Sequence, residues 1–422
     1  MRIILVGVNG ALNSGDQTLC EATIRLLQET FPDAKLSGVH RNPELQSIYF
    51  PSVEWLTQIG VSHSLNRLTR RFVNVGGLAG AAAHLAFRSR NGAMLSGAAR
   101  RTYQAIANAD LVVGCAGGWL EDHYVSIWTN LLHLSIAAEN QVPIFIAPQS
   151  IGPFRHRCSR WLARRVLQKT AGVTARESIS MEQAKELGVN ESRLRLFPDL
   201  ALFEQSADHE QAEALLRRLC GSDVPPLGGT TIMPWSFPGS SNPAADLNDY
   251  LSKVANTAKL VYQKTGLKTL FLRQIRDARG HKGDGELVQK VAAMAGDCGI
   301  FAPDYLEPAL LRGVIARCQV FWGTRLHSNI FAATQRVPVV AIAYQHKAEG
   351  IMNMLGMGEF VVRIDDFQSD GLAQLIAEVV QQREKWRGVL DQKFAKIQPE
   401  WEQLKAFLVH SAGSGSSEKG CS

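Results

Sequence analysis

"CQVFWGTRLHSNIFAATQRVPVVAIA", residues 318 to 343, decides the fold, because it joins two apolar runs through a segment of helical length. The first run ends at Gly323, and the second, after Pro338, is rich in β-branched residues, as buried parallel strands are. A strand, a helix and a second strand in succession form a βαβ unit, the building block of parallel sheets. The turn before the helix also carries Arg325 and His327.

The same alternation of strand-like runs and amphipathic segments recurs along the chain. It favours parallel α/β sheets over an all-α or all-β architecture. Predicted strands lie at residues 2–8, 35–40, 110–115, 143–148, 172–176, 229–235, 268–273, 298–303, 318–323 and 337–343. The sequence therefore predicts an α/β fold with two doubly wound, Rossmann-like domains facing a cleft, with chemistry in the loops that follow the strands.

The domain boundary is placed where glycine and proline concentrate. The stretch "LCGSDVPPLGG", residues 219–229, is typical of a linker. It predicts an N-terminal Rossmann-like domain over residues 1–218 and a C-terminal one over 229–410. Residues 411–422 have the composition of a flexible polar tail.

Residues 55–108 stand apart as a predicted basic insertion in the N-terminal domain. They contain seven arginines, with no lysine and no acidic residue. An ordinary helical hairpin with solvated arginines is one interpretation. The other is a basic surface that contacts anionic lipid headgroups or lines a channel for an acceptor.

The composition indicates a globular protein of the cytoplasm. Of its 422 residues, 45% are hydrophobic and 20% charged, which allows two or three full cores. The seven cysteines form no CxxC pair and lack metal-site spacing, so we expect reduced thiols and no metal site. The N-terminal apolar run is shorter than a signal peptide core, and no stretch approaches the roughly 20 apolar residues of a spanning helix. The formal net charge of +6 permits an anionic ligand or surface but selects neither.

Polar residues follow two of the early predicted strands. After the first strand, "NSGD" provides Asn13, Gly15 and Asp16, where Asp16 caps a helix or binds a ligand from the cleft edge. This loop lacks the spacing of a dinucleotide fingerprint and the lysine of a phosphate-binding loop. After the strand at 110–115, "AGGWLED" offers close backbone approach, a stacking ring and carboxylates for proton transfer. Its candidate residues are Gly117, Gly118, Trp119, Glu121 and Asp122.

Two later loops add hydrogen-bonding and charged side chains. "QSIGPF" places Gln149 and Ser150 at the carboxyl end of a strand. "TARES" places Arg176 at an equivalent position, where it either pairs with a carboxylate or binds an anion.

The turn "GTRLHS", residues 323 to 328, gives the strongest local signal. The free amides at a helix start favour an anion, and Arg325 is able to make a bidentate contact to it. A phosphate would satisfy both features, and His327 could exchange a proton with it. Thr324 and Ser328 are further candidate ligands in the same turn.

Taken together, "NSGD", "AGGWLED", "QSIGPF", "TARES", "GTRLHS" and "AYQHKAEGIMNMLGM" resemble, in order and spacing, the polysaccharide pyruvyl transferase family. The similarity is closest to the branch that modifies exopolysaccharides such as colanic acid. It covers roughly residues 1 to 410 in scattered blocks and is densest from 318 to 358. Gly152 stands where some members carry a histidine, so an acid at that position does not transfer to this chain.

The resemblance implies a GT-B-like fold and transfer of a pyruvyl group from phosphoenolpyruvate onto two hydroxyls of one sugar. The product is a cyclic ketal, and phosphate is released. The N-terminal domain is then the acceptor side and the C-terminal domain the donor side. Phosphoenolpyruvate is a co-substrate, and no other cofactor and no nucleic acid is expected. The acceptor is a polysaccharide or lipid-linked oligosaccharide precursor, met at the inner face of an anionic membrane.

Under this interpretation the candidate residues take roles. His327 is the acid or a phosphate ligand, Arg325 binds the donor, and Lys347 adds charge to the donor pocket. The base is Asp16, Glu121 or Asp122. Two alternatives remain: a GT-B glycosyltransferase that uses a nucleotide sugar, and a silent sugar-binding or scaffold protein.

Overall fold

Two all-parallel sheets carry the fold in the structure, a computed structural model that describes residues 1–59, 95, 97–123, 126–277 and 283–414. The chain divides into two compact units around them. Unit 1 contains Met1–Ala11 and the described parts of Leu19–Leu200 and Glu400–Ser422. Unit 2 contains Leu12–Thr18 and the described part of Ala201–Pro399.

The sheet of unit 1 has the strand order β3-β2-β1-β4-β6-β7-β8, with β5 paired to β6. Its strands are β1 (Arg2–Val6), β2 (Lys35–His40), β3 (Glu54–Thr57), β4 (Leu111–Gly114), β5 (Gly117–Leu120), β6 (Ile144–Ile151), β7 (Gly172–Ala175) and β8 (Leu194–Leu196). Its helices are α1 (Ser14–Thr30), α2 (Pro43–Tyr49), α3 (Gly97–Ala107), α4 (Ser126–Glu139), α5 (Arg157–Leu167), α6 (Ser178–Glu186) and the last helix, α15 (Glu400–Ser414). The first turn of α1 groups with unit 2.

The sheet of unit 2 has the strand order β11-β10-β9-β12-β13-β14. Its strands are β9 (Leu227–Thr231), β10 (Lys268–Phe271), β11 (Gly299–Phe301), β12 (Cys318–Gly323), β13 (Val339–Ala343) and β14 (Val361–Arg363). Its helices are α7 (His209–Cys220), α8 (Pro243–Thr265), α9 (Gly285–Ala295), α10 (Pro308–Ile315), α11 (Leu326–Thr334), α12 (His346–Met354), α13 (Ser369–Gln381) and α14 (Arg383–Ile397).

The local sequence explains why these elements form. Residues of β13 are at most 1% exposed, so the strand is apolar on both faces, as a central parallel strand must be. Helix α8 starts after Asn242, whose side chain accepts a hydrogen bond from the amide of Ala245 at 3.3 Å. It ends at Gly266, where φ is 73° and the left-handed conformation favours glycine.

Each sheet reverses its strand order at one place, between β1 and β4 in unit 1 and between β9 and β12 in unit 2. In doubly wound sheets, ligands bind outside the carboxyl ends of the strands at such a switch point. The α/β prediction is confirmed, and each of the ten predicted strands overlaps an observed one.

The observed domain boundary differs from the predicted linker at 219–229. Unit 2 begins at Ala201, because α7 and the segment before it pack on α10. The amide of Asp208 donates to the carbonyl of Ala309 at 3.0 Å, and Arg312 Nε donates to the carbonyl of Ser206 at 2.6 Å. The glycine- and proline-rich stretch instead leads into β9.

The chain also returns to unit 1 before the predicted end of the C-terminal domain at residue 410. In α15, the Phe407 ring lies 5.9 Å from the Phe145 ring, and Trp401 Nε1 donates to Glu29 Oε2 at 2.7 Å. The predicted tail, 411–422, therefore begins within a helix that runs to Ser414. Residues 415–422 lie outside the described residues.

The predicted insertion at 55–108 is partly integrated into the fold of unit 1. Its first residues belong to β3 and its last to α3, and Thr102 Oγ1 donates to the carbonyl of Thr57 at 2.7 Å. Residues 60–94, which carry five of the seven arginines, lie outside the described residues. No helix in the described part of the chain is long and apolar enough to cross a membrane.

Two helical glycines of unit 2 provide a matched test of this packing. A Cβ on Gly313 would lie 2.2 Å from the carbonyl oxygen of Asp208, whereas a Cβ on Gly388 meets nothing within 4 Å. We expect Gly313→Ala to lower the free energy of unfolding by about 1 kcal/mol or more, because backbone must move. Gly388→Ala should raise it by about 0.5–1 kcal/mol through helix propensity. Urea unfolding measures both, and the same sign of change for both variants would contradict the packing of α7 on α10.

Candidate active site

The strand-to-helix turn at residues 323–328 lies at the switch point of unit 2. The amide of Thr324 donates to the carbonyl of Thr231, the last residue of the neighbouring strand β9, at 3.0 Å. A Cβ on Gly323 would lie 2.8 Å from Thr231 Oγ1, so only glycine allows this approach. The turn is therefore fixed against the strand where the sheet order reverses.

Arg325 occupies the position just before α11. Its Nε donates to the carbonyl of Ile232 at 3.2 Å, and its Nη2 lies 3.3 Å from Asp284 Oδ2. Its Nη1 has no hydrogen-bond partner among the described residues, and its side chain is 10% exposed. The guanidinium is thus held in place by two contacts while one amino group is left for a ligand.

The carboxylate of Asp284 holds this arrangement together. Its side chain is 1% exposed, and it accepts hydrogen bonds from the backbone amides of Gln274 and Ile275, each at 3.1 Å. Arg273 Nε lies 3.9 Å away as a second cation. A buried carboxylate needs such partners, because an unpaired buried charge is costly. The loop after β10 is thereby tied to the turn after β12.

The hydroxyls of Thr324 and Ser328 are used inside unit 2. Thr324 Oγ1 lies 2.5 Å from the hydroxyl of Tyr250, and Ser328 Oγ contacts Thr231 Oγ1 at 2.7 Å and Gln274 Oε1 at 2.9 Å. Both residues are buried. The two hydroxyls thus hold the turn against its neighbours, and their role as ligands stays a prediction.

The "NSGD" motif is part of unit 2, although it was predicted to belong to the N-terminal domain. The amide of Ser14 donates to the carbonyl of Gln274 at 3.1 Å, and Asn13 forms an antiparallel bridge with Ile275. Asn13 Oδ1 also accepts a hydrogen bond from the amide of Gly15 at 2.9 Å. Asn13, rather than Asp16, therefore caps α1, and Asp16 lies in the first turn of that helix.

Gly15 brings this motif against His327. A Cβ on Gly15 would lie 2.3 Å from His327 Nδ1 and 2.4 Å from Cγ, so the imidazole rests on the bare backbone of the first turn of α1. The structure thus places eight predicted residues in unit 2: Asn13, Gly15, Asp16, Lys347, Thr324, Ser328, Arg325 and His327. The amide groups at the start of α11 lie in the same turn as the last two.

Lys347 lies in the first turn of α12, directly after β13, and is half-buried. Since β13 is the neighbour of β12, Lys347 lies at the same edge of the sheet as Arg325. Its predicted contribution to a donor pocket stays a prediction.

Arg176 lies in unit 1, where its guanidinium forms ion pairs with two carboxylates. Its Nη1 lies 2.6 Å from Asp199 Oδ2, and its Nε lies 3.3 Å from Glu177 Oε2 and 2.8 Å from Ser150 Oγ. Burial would lower the pKa of the Arg176 guanidinium, but the Asp199 and Glu177 carboxylates outweigh burial and raise it. These ion pairs favour the pairing alternative for Arg176 over anion binding. The Ser150 hydroxyl accepts a hydrogen bond from Arg176, and its substrate-binding role stays a prediction.

Trp119 belongs to the hydrophobic core of unit 1 and is 1% exposed. Its Nε1 donates to the carbonyl of Cys115 at 2.7 Å, and its ring fills the space left by Gly7, where a Cβ would lie 2.3 Å from it. The predicted stacking face for a sugar is therefore wrong. Gly117 and Gly118 start the short strand β5 beside this ring.

The two acidic residues after β5 have different surroundings. Asp122 Oδ2 accepts hydrogen bonds from the amide of His156 and from Ser159 Oγ, both at 2.7 Å, at the start of α5. Burial would raise the pKa of the Asp122 carboxyl, but hydrogen bonds from the backbone outweigh it and lower the pKa. Asp122 therefore caps α5, and its role as a base stays a prediction. Glu121 is buried, and its carboxylate interacts electrostatically with the Arg176 guanidinium.

Gln149 is buried in β6, where its side-chain amide has no hydrogen-bond partner among the described residues. Its Oε1 would lie 3.8 Å from a Cβ on Gly117. Its substrate-binding role stays a prediction. Gly152, at the end of the same strand, has φ of 71°, which favours glycine over a histidine there.

Sequence analysis missed Gln274 and Asp284, the two residues that join the motifs of unit 2. A signal was available: β10 is the neighbour of β9, so its following loop, "RQIRDARG", lies beside the switch point. Trp235 and Tyr344 were missed as well. They follow β9 and β13, the two neighbours of β12, and their ring centroids lie 4.6 Å apart.

Comparisons with known proteins give both a fold and a family. HepE from Anabaena, solved with UDP-glucose, has a TM-score of 0.58 at 13% identity, over 97% of this chain and 100% of that one. UDP-GlcNAc 2-epimerase from Neisseria meningitidis, bound to UDP-GlcNAc, has a TM-score of 0.60 at 8% identity, over 97% and 100%. Such low identities establish the fold alone, and they confirm two Rossmann-like domains of GT-B type.

A sequence relative adds to this picture. The amylovoran biosynthesis protein AmsJ of Erwinia amylovora is 23% identical over 300 residues. The match covers 67% of this chain and 66% of AmsJ. The family model of the polysaccharide pyruvyl transferases matches residues 13–346, a span that includes the "NSGD" and "GTRLHS" motifs. The chain therefore belongs to the polysaccharide pyruvyl transferase family.

Proposed function

We propose that this chain moves the pyruvyl group of phosphoenolpyruvate onto two hydroxyls of one sugar, forming a cyclic ketal and releasing phosphate. One observation carries the proposal: Arg325, His327 and the start of α11 lie together in unit 2 with the "NSGD" motif. Family membership supports pyruvyl transfer, and the name of AmsJ supports a role in exopolysaccharide synthesis.

The donor brings a phosphate and a carboxylate, and unit 2 offers two kinds of group for anions. The first amides of α11 are not capped by a side chain, and helix starts favour negative charge. Arg325 presents Nη1 from a guanidinium whose other contacts fix its plane. We place the phosphate at these donors, with Lys347 adding positive charge at the same sheet edge.

The reaction then requires one proton delivered to the donor and two removed from the acceptor. Protonation of the CH₂ carbon of phosphoenolpyruvate makes it a methyl group and leaves a cation at the adjacent carbon, which the first sugar hydroxyl attacks, losing its proton. Phosphate departs with the electrons of its C–O bond and takes up one proton, and the second hydroxyl closes the ring as it loses its proton. We assign His327 as the acid.

Among the candidate bases, Asp16 fits best. It lies next to Gly15, the residue that contacts the His327 ring, whereas Glu121 is buried in unit 1 beside a fully paired arginine. Asp16 lies in the first turn of α1, where the start of a helix favours negative charge. We therefore propose that Asp16 accepts the hydroxyl proton.

The acceptor is proposed to be a sugar of a polysaccharide or lipid-linked oligosaccharide precursor, met by a cytoplasmic protein at the inner face of the membrane. Phosphoenolpyruvate is the co-substrate, and no metal is proposed. The runner-up function is glycosyl transfer from a nucleotide sugar, which the fold shared with HepE favours.

Product analysis tests the proposed reaction against this runner-up. With phosphoenolpyruvate and a lipid-linked oligosaccharide, phosphate should form in step with pyruvylated acceptor, and EDTA should leave the rate within about twofold. Phosphoenolpyruvate should raise the melting temperature in phosphate-free buffer more than UDP or GDP do. Release of a nucleoside diphosphate from a nucleotide sugar, without phosphate from phosphoenolpyruvate, would replace the proposal with glycosyl transfer.

Two substitutions separate donor binding from proton transfer. Arg325→Lys keeps the charge but loses the planar fork, so kcat/KM for phosphoenolpyruvate should fall roughly ten- to a thousandfold. His327→Gln should lower kcat by about a hundredfold or more if the ring is the acid, and should raise KM instead if it only binds phosphate. Circular dichroism and melting curves check folding. Two well-folded variants within about threefold of the parent enzyme would remove this site assignment.

Gly15→Ala tests whether the position of His327 matters. The added methyl would lie within 2.3 Å of the imidazole, so the ring must shift, and a shift on the order of 1 Å costs about a hundredfold in rate. The matched control is Gly388→Ala, whose Cβ meets nothing within 4 Å and which should keep the parent rate. Unchanged kcat and KM in Gly15→Ala would show that the reaction does not depend on this contact.

A further inference from the structure

Helix α5, with the sequence "RCSRWLARRVL", has two chemically distinct faces. One face packs into unit 1 through Ser159, Ala163, Val166 and Leu167, all of which are buried. The other is exposed and contains, at helical spacing, Arg157, Arg160, Trp161, Arg164 and Arg165. We call these five residues the basic stripe.

Trp161 lies in the middle of the basic stripe and is 61% exposed. The Arg165 guanidinium carbon lies 5.8 Å from the centroid of its ring. A single exposed apolar residue needs no explanation, but an indole surrounded by four arginines on one helix face is a specific combination. Neither folding nor the proposed reaction uses this side chain.

The charge of this surface is only partly compensated. Arg160 lies 3.4 Å from Glu186, and Arg165 lies 3.1 Å from Glu139, in exposed pairs of the kind that contribute little to stability. Arg157 and Arg164 form no ion pair with any described residue, and α5 itself contains no acidic residue. The stripe is therefore a positive surface with an apolar centre.

We propose that the basic stripe is a docking surface for an anionic lipid bilayer. Arginines near such a surface are attracted to the lipid phosphates, and an indole is favoured at headgroup depth. Because the opposite face of α5 is buried in the core, the helix would lie along the membrane surface rather than insert. A helix face is convex, whereas single-stranded polyanions are bound in grooves, so charge and shape together favour the bilayer.

The location of α5 links this surface to the acceptor. The helix follows β6, and its start is capped by Asp122, a residue that lies just after β5. The stripe therefore begins near the carboxyl ends of β5 and β6. A bilayer docked there would present a lipid-linked sugar to unit 1. That consequence rests on the proposed function, whereas binding of the bilayer itself does not.

Co-sedimentation with vesicles tests the proposal without any need for activity. The full chain should bind vesicles containing about 30% phosphatidylglycerol at low salt, and should bind pure phosphatidylcholine vesicles at least about tenfold less tightly. The combined variant Arg157→Gln, Arg160→Gln, Arg164→Gln should lose at least about tenfold in partition coefficient. Trp161→Ala should lose about three- to tenfold. All four positions are exposed, so folding should be kept.

A matched control removes the same charge elsewhere. Arg217→Gln, Arg218→Gln and Arg387→Gln lie on α7 and α14, and together should change vesicle binding by less than about twofold. Brominated phosphatidylglycerol should quench the fluorescence of the parent protein more than that of Trp161→Phe. Rates with a water-soluble acceptor should be equal in all variants, which separates docking from catalysis.

Three outcomes would overturn the proposal. One is equal binding of the parent and the stripe variants to anionic vesicles, which would place any membrane contact elsewhere in the chain. Another is equal loss in the control variant, which would reduce the effect to net charge. The third is absence of vesicle binding at low salt combined with stripe-dependent binding to a soluble acidic polysaccharide or nucleic acid.

Discussion

The candidate site depends on the hydrogen bonds and the ion pair that the buried carboxylate of Asp284 forms. It joins the amides of residues 274 and 275 to the guanidinium of Arg325, and residues 274–276 in turn pair with residues 12–14. The charge of Asp284 therefore joins two distant segments directly, and residues 12–14 are linked to them through backbone hydrogen bonds. Removing a partner from such an arrangement leaves an uncompensated charge, which is more costly than the loss of one hydrogen bond. The geometry of the site and the stability of unit 2 are thus coupled.

Arg325 shows how one side chain serves structure and chemistry together. Its Nε and Nη2 tie the turn to Ile232 and Asp284, and its Nη1 has no partner among the described residues. A planar guanidinium has five N–H donors in a fixed arrangement, so two structural contacts orient the remaining donors instead of using up the group. Partial neutralisation by Asp284 also weakens its hold on an anion. Such a balance suits the reaction proposed above, in which phosphate is released.

The sequence predicted the interior of the fold well and the assembly of the site only in part. Apolar runs identified β1, β4, β12 and β13, whereas β3, β5, β8 and β14 were missed because each contains only two large apolar residues. "GTRLHS" was located from local rules for strand ends and helix starts. The pairing of "NSGD" with residues 274–276 was beyond local rules, since it depends on backbone contacts between distant segments.

The two switch points differ in a way that assigns them different ligands. At the strand ends of unit 1, Trp119 fills the space beside Gly7, and the charge of Arg176 is neutralised by two carboxylates. At the strand ends of unit 2, Arg325 keeps a donor group and His327 lies against a bare backbone turn. Binding of an anionic donor requires uncompensated positive charge. Sugar hydroxyls require only hydrogen bonds, which do not offset the cost of burying a cation. This asymmetry supports the proposal that phosphoenolpyruvate binds to unit 2 and that unit 1 recognises a neutral acceptor.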